Sequence, residues 1–180
     1  MTDKNNYSKQ TDVSIAAHKS QTNECPIPQK MCDKKKEAVI NMTREAFDKM
    51  MFAICSRPAE SGGLLLGQVG SNDISDFFFD AGGNVTGVSY SPDYATLNKK
   101  LKDEWIPAGT DFKGIVHSHP GNLDRLTPED LIYIRRLLTA NSDMPIFVAP
   151  IIIPPDFRMR MMVVFRDNPD TVVDARINFF

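Results

Sequence analysis

Apolar and polar positions divide the chain unequally. Residues 1–36 are rich in Asn, Gln, Ser, Thr and Lys, and their few apolar residues follow no clear period. Such a stretch buries too little surface to offset the cost of ordering it, so it is expected to be a flexible polar tail. From residue 37 to 180 the pattern becomes that of a folded domain. Ala38-Val39-Ile40-Asn41-Met42 predicts a short strand. Thr43 then predicts the cap of a helix over residues 44–55, because Ala46, Phe47, Met50, Met51 and Ile54 fall on one face. Pro58 stops it, since proline cannot continue a helix. The Leu64-Leu65-Leu66 run predicts a buried strand within residues 60–67, and residues 74–80 predict another after a Gly-Ser-Asn-Asp turn. Residues 85–90 predict a short strand. Ser91-Pro92-Asp93 predicts a helix start with proline at the first position, continuing to about Trp105. Its inner face would carry Tyr94, Leu97, Leu101 and Trp105. Residues 112–119 predict a strand, and Thr127-Pro128-Glu129-Asp130 opens a helix ending near Leu138. Residues 146–153 and 158–165 predict two closing strands around a Pro-Pro-Asp turn. Strands and helices alternate irregularly without an internal repeat. That favours an α+β domain, a mixed central sheet flanked by helices.

Composition narrows the function. Of 180 residues, 21 are basic and 23 acidic, giving a net charge of -2. A chain-wide affinity for phosphate backbones is not supported, so nucleic acid is not the expected partner. The run Lys34-Lys35-Lys36 reads as a solvated linker. No apolar run approaches the roughly 18–20 residues of a membrane span, and no secretory leader opens the chain. The three cysteines, Cys25, Cys32 and Cys55, suggest no disulfide framework. Cys25 and Cys32, with His18 upstream, lack the short spacing of a zinc knuckle and read as free thiols. A cytoplasmic protein is expected.

The informative segment is His117-Ser118-His119-Pro120, followed by a loop and then Thr127-Pro128-Glu129-Asp130. Side chains alternate along a strand, so His117 and His119 point to one side and Ser118 to the other. Two imidazoles on one face can share a metal. Asp130, in the first turn of the next helix, can be swung back as a third ligand. Two His and one carboxylate leave a fourth position open, as in catalytic rather than structural zinc sites. Each part has a plainer use. Paired histidines also occur as ordinary core or surface residues, Thr127-x-x-Asp130 makes a good helix start, and Glu60 can be a loop carboxylate.

His-Ser-His-Pro, six residues, then Thr-x-x-Asp resembles the H-x-H-P-x6-S-x-x-D motif of the JAMM (JAB/MPN+) zinc metalloproteases. Upstream, Pro58-Ala59-Glu60-Ser61-Gly62-Gly63-Leu64-Leu65-Leu66-Gly67 resembles that family's Glu segment. The likeness runs from about residue 38 to 166 in the same order. It implies a cytidine-deaminase-like JAB/MPN fold of the compact prokaryotic type. His117, His119 and Asp130 would bind one zinc ion per chain, with water as fourth ligand. Glu60 would be general base and then proton donor to the leaving amine. Thr127, where the family usually has Ser, would steady the oxyanion, and Ser118 would have no catalytic role. The implied activity is zinc-dependent hydrolysis of an amide or isopeptide bond after the C-terminus of a ubiquitin-like or sulfur-carrier-like protein. E1-like or E2-like proteins encoded nearby would be further partners. No long ubiquitin-gripping insertion fits between Gly67 and Phe112. An extended tail could instead add to the sheet edge near residues 74–80. The alternatives are a catalytically silent scaffold of the same fold, a RadC-like DNA-associated protein, and a zinc deaminase. The last uses a C-x-x-C that this chain lacks.

Overall fold

The computed structural model describes residues 38–86 and 89–180. The tail expected over residues 1–36, with His18, Cys25 and Cys32, lies outside the described residues. The fold begins with strand β1 (Ala38–Met42) and helix α1 (Arg44–Cys55). Thr43 is the N-cap, with extended backbone, and its side chain accepts from the Ala46 amide at 3.2 Å. Strand β2 (Gly62–Gln68) and strand β3 (Asp76–Phe79) follow as an antiparallel pair.

The next segment departs from expectation. Residues 85–90 do not form one strand. Two short strands, β4 (Asn84–Val85) and β5 (Tyr90–Ser91), pair as a separate ribbon. Helix α2 (Tyr94–Lys100) is capped by Asp93, whose carboxylate accepts from the Thr96 amide, so Pro92 precedes the cap instead of opening the helix. The helix then widens into a π-helical turn, Leu101–Trp105, closed by a 2.9 Å bond from the Ile106 amide to the Leu101 carbonyl.

Strand β6 (Thr110–Ser118) and helix α3 (Pro128–Ala140) carry the His and Asp segments. The two expected closing strands are each divided. Strands β7 (Ile146–Val148) and β8 (Ile151–Ile153) are separated by Ala149-Pro150, where proline has no N–H to give a ladder. A 3-10 turn, Pro154–Asp156, leads to β9 (Arg158–Arg160) and β10 (Met162–Phe165). A final strand, β11 (Asn168–Phe179), is absent from the sequence expectations.

The main sheet runs β1-β11-β10-β7-β6-β2-β3, with β8 pairing to β6 and β9. Both parallel and antiparallel pairs occur, so the sheet is mixed. Its alternation builds two cores. Leu64, Leu66, Ile115, Phe147, Ile151 and Met162 face α2 and α3 with Leu97, Ile134 and Leu138. Leu65, Val116, Val148, Ile152 and Val163 face the other way, onto Ala46, Met50 and Ile54 of α1. The sheet margins also meet. Met42 of β1 bridges to Ile74, just before β3, through bonds of 2.9 Å (Thr43 amide to Ile74 carbonyl) and 3.0 Å (Ile74 amide to Asn41 carbonyl). Helix α1 is thus held in the hollow of a curled sheet. No helix among the described residues is long and apolar enough to cross a membrane.

This packing fixes which face of α1 matters. Met50 is wholly buried while Phe52 is 78% exposed. Met50→Ala should cost about 2–5 kcal/mol in chemical denaturation, and Phe52→Ala should stay within about 0.5 kcal/mol although it removes a larger side chain.

Candidate metal centre

The centre is assembled where β6 ends and α3 begins. β6 delivers His117 at its end and His119 just beyond, both on the side facing α3. Pro120 then turns the chain away. Thr127 starts α3 with a full capping box. Its hydroxyl accepts from the Asp130 amide at 3.2 Å, and Asp130 Oδ2 accepts from the Thr127 amide at 2.7 Å. The cap therefore aims Asp130 at the histidines. Asp130 Oδ1 lies 3.3 Å from His117 Nε2, and Oδ2 lies 3.7 Å from His119 Nε2. The two Nε2 atoms are 2.8 Å apart. One ligand atom from each of the three residues falls within 4.8 Å of the others, so the group is placed to hold a metal ion. Among the described residues it is the one such group of His, Cys, Asp and Glu.

The donor chemistry fits an ion. Two ring nitrogens and a carboxylate oxygen converge on one point, and once the protons between them are released all three can give lone pairs to an ion. His119 Nδ1 lies 3.1 Å from the Leu123 carbonyl; a proton held there leaves Nε2 bare for coordination. Burial lowers the pKa of His119, with the nearby His117 adding to it, which favours the neutral, ligating form. Burial works to raise the pKa of Asp130, but hydrogen bonds from His117 and Thr127 outweigh it and hold the carboxyl at about 2.

Glu60 reaches the same place from the turn that leads into β2. It is 3% exposed and adopts a left-handed backbone, φ 69°. A non-glycine residue in that region is uncommon and marks a constrained position. Glu60 lines a cavity of about 480 Å³ together with His117, His119, Thr127 and Asp130. Burial raises its carboxyl pKa, against the opposing influence of His117. Thr127 is in the cavity wall, and its hydroxyl also donates to Asp130 Oδ2 at 2.8 Å. Ser118 points away from the metal group, as strand alternation requires, and is fully buried.

Several contributors have no sequence signature. Leu123 acts through its backbone carbonyl alone. Tyr90 stacks on His117, with ring centroids 6.2 Å apart and planes at 27°, and forms part of the cavity wall. Its hydroxyl donates to Asp80 at 2.8 Å, and the Asp93 amide donates to the same oxygen at 2.9 Å. Asp80, 5% exposed, thereby ties the β4–β5 ribbon and the start of α2 beside the histidines. Nothing in the spacing of Asp80, Tyr90 and Asp93 announces that junction.

The fold has solved counterparts. A protein of Desulfitobacterium hafniense, solved in solution, is similar over 78% of this chain and 92% of its own, with 21% identity and a TM-score of 0.55. A crystal structure described as a JAB1/MPN domain protein of Archaeoglobus fulgidus aligns with 77% of this chain and 97% of its own, at 19% identity and a TM-score of 0.45. No family model matches the chain, and no curated protein matches it. The fold class is a mixed sheet flanked by helices, an α+β domain.

The purified protein should bind one divalent transition-metal ion per chain in calorimetric titration, and His119→Ala should abolish it. At free metal 100-fold above Kd, the midpoint of unfolding should rise by the equivalent of about 2.7 kcal/mol. Thr127→Ala, which removes the helix cap, should cost about 1 kcal/mol of stability in the metal-free protein.

Proposed function

We propose that this chain is a JAMM-type zinc metallopeptidase that hydrolyses an amide or isopeptide bond following the C-terminus of a ubiquitin-like or sulfur-carrier-like protein. The observation that carries the reading is the convergence of Glu60 with His117, His119 and Asp130 on one cavity. Those four positions are the ones that match the JAMM motif in sequence. The Nε2 atoms of His117 and His119 and a carboxylate oxygen of Asp130 would hold the zinc. When bound, zinc supplies a Lewis acid that makes water acidic near neutral pH and polarises the scissile carbonyl. Glu60 takes a proton from the attacking water and returns it to the leaving nitrogen. Its burial, which favours the protonated carboxyl, suits the second of those tasks. Tyr90 and Tyr133 wall the cavity and exclude bulk water from the reacting bond. Thr127 offers a hydroxyl near the oxyanion once its bond to Asp130 loosens.

That same bond favours a second reading, a silent scaffold of the JAB/MPN type, because the Thr127 hydroxyl is engaged in capping α3. Cleavage decides between them. Incubation with C-terminal ubiquitin-like fusions should give products that a zinc chelator suppresses and added zinc restores. Glu60→Gln should keep the metal and lose about 10²–10⁴-fold in turnover. Thr127→Ser should equal or exceed the parent. Absence of cleavage across such fusions by metal-loaded protein would leave the scaffold reading standing.

A further inference from the structure

Glu60 stands in a conformation that a residue with a side chain rarely adopts, and its surroundings have to hold it there. The left-handed turn at Glu60 takes the chain off the β2–β6 ladder, whose first register pair is Gly62 with His117. Ser61, 6% exposed, is left with an amide that must still be satisfied. No backbone carbonyl among the described residues takes it. The Ser118 hydroxyl does, accepting from the Ser61 amide at 3.2 Å. The same hydroxyl donates to the Ser61 carbonyl at 3.3 Å, which also receives the Ser118 amide at 2.9 Å. The Ser118 carbonyl accepts from the Glu60 amide at 3.1 Å. Every polar group of Ser118 is thus spent on the dipeptide Glu60-Ser61. Ser118 is 0% exposed, on the strand face that otherwise carries Val116 towards α1. An apolar side chain would complete that face but leave the Ser61 amide unpaired.

We propose that Ser118 is the positioning residue for Glu60: it locks the Glu60-Ser61 dipeptide so that the carboxylate is held at the cavity on the same rigid unit as His117 and His119. The inference rests on the peptidase reading for its catalytic consequence, and on geometry alone for its structural one. Because Ser118 sits between the two histidines, any motion of the ligand strand carries the base with it. The distance between the proton acceptor and the two imidazoles is then independent of the loop over residues 121–126.

Ser118→Ala, Ser118→Val and Ser118→Thr in the full chain test this. The first two remove the hydroxyl, and threonine restores it with the bulk of valine. Amide hydrogen exchange read by NMR, in zinc-loaded and chelated protein, reports the lock without reference to activity. In the Ala and Val variants the Ser61 amide should exchange about tenfold faster, with Leu65 and Val116 unchanged and one zinc retained. The kcat for chelator-sensitive cleavage should fall about 10–100-fold at constant KM, and Thr should recover both. Unchanged Ser61 exchange, exchange that rises equally at Leu65 and Val116, or kcat equal to the parent would overturn the proposal. So would Thr behaving like Val. If the parent chain cleaves no fusion, the peptidase reading falls, and the exchange comparison still decides whether Ser118 holds Glu60.

Discussion

The antiparallel contact of β2 with β6 is the constraint on which the rest depends. Its register sets Gly62 opposite His117 and Gly63 opposite Val116. Glu60 and the histidines come from segments more than fifty residues apart, and this ladder, with the Ser118 bonds beyond its end, makes them neighbours. The ladder needs bare backbone at several points. A side chain at Gly62 would collide with the Tyr90 ring, which must lie there to stack on His117. A side chain at Gly114 would run into the Val148 carbonyl and push β7 away from β6. The Gly-Gly pair after Glu60 therefore works by leaving room for neighbours, within a strand and not in a turn.

The two sheet faces divide labour. On one side, Leu65, Val116 and Val163 enclose α1. On the other, Ile115 and Phe147 form the floor on which His117, Leu126 and Ile134 rest. Alternation along β6 thus assigns consecutive residues to different tasks: Val116 to the α1 core, His117 to the cavity, Ser118 to the Glu60-Ser61 segment, His119 to the cavity again. The metal group thus lies on the face that α2 and α3 cover, with the α1 core behind it.

Much of this was legible in the residues. The helix at Thr43, the Leu64-Leu65-Leu66 strand, the His117 and His119 face and the Thr127 cap each depend on short-range rules of period and capping. The structure places all of them where those rules do. What failed to show depended on long-range contact. Pro150 marks a local break between β7 and β8, but which neighbours the halves take, β6 and β10 for β7, β6 and β9 for β8, is a long-range matter. Strand β11 is different: Val173, Ala175, Ile177 and Phe179 do alternate with polar residues. Its signal is weak because it is only half-buried along its length, receiving β1 on one side and β10 on the other. The Asp80 junction with Tyr90 and Asp93 is invisible in sequence because three unrelated turns meet there.

The Thr127–Asp130 cap has two uses at once. It starts α3 and it aims a ligand. Were the proposed hydrolysis lost, Glu60 and either histidine would be free to change, since neither β2 nor β6 needs those side chains for pairing. Thr127 and Asp130 would remain under selection for the helix they begin. Decay of such a site would therefore proceed in a fixed order, Glu60 and the imidazoles vanishing first, and the Asp130 carboxylate persisting as a relic of structure.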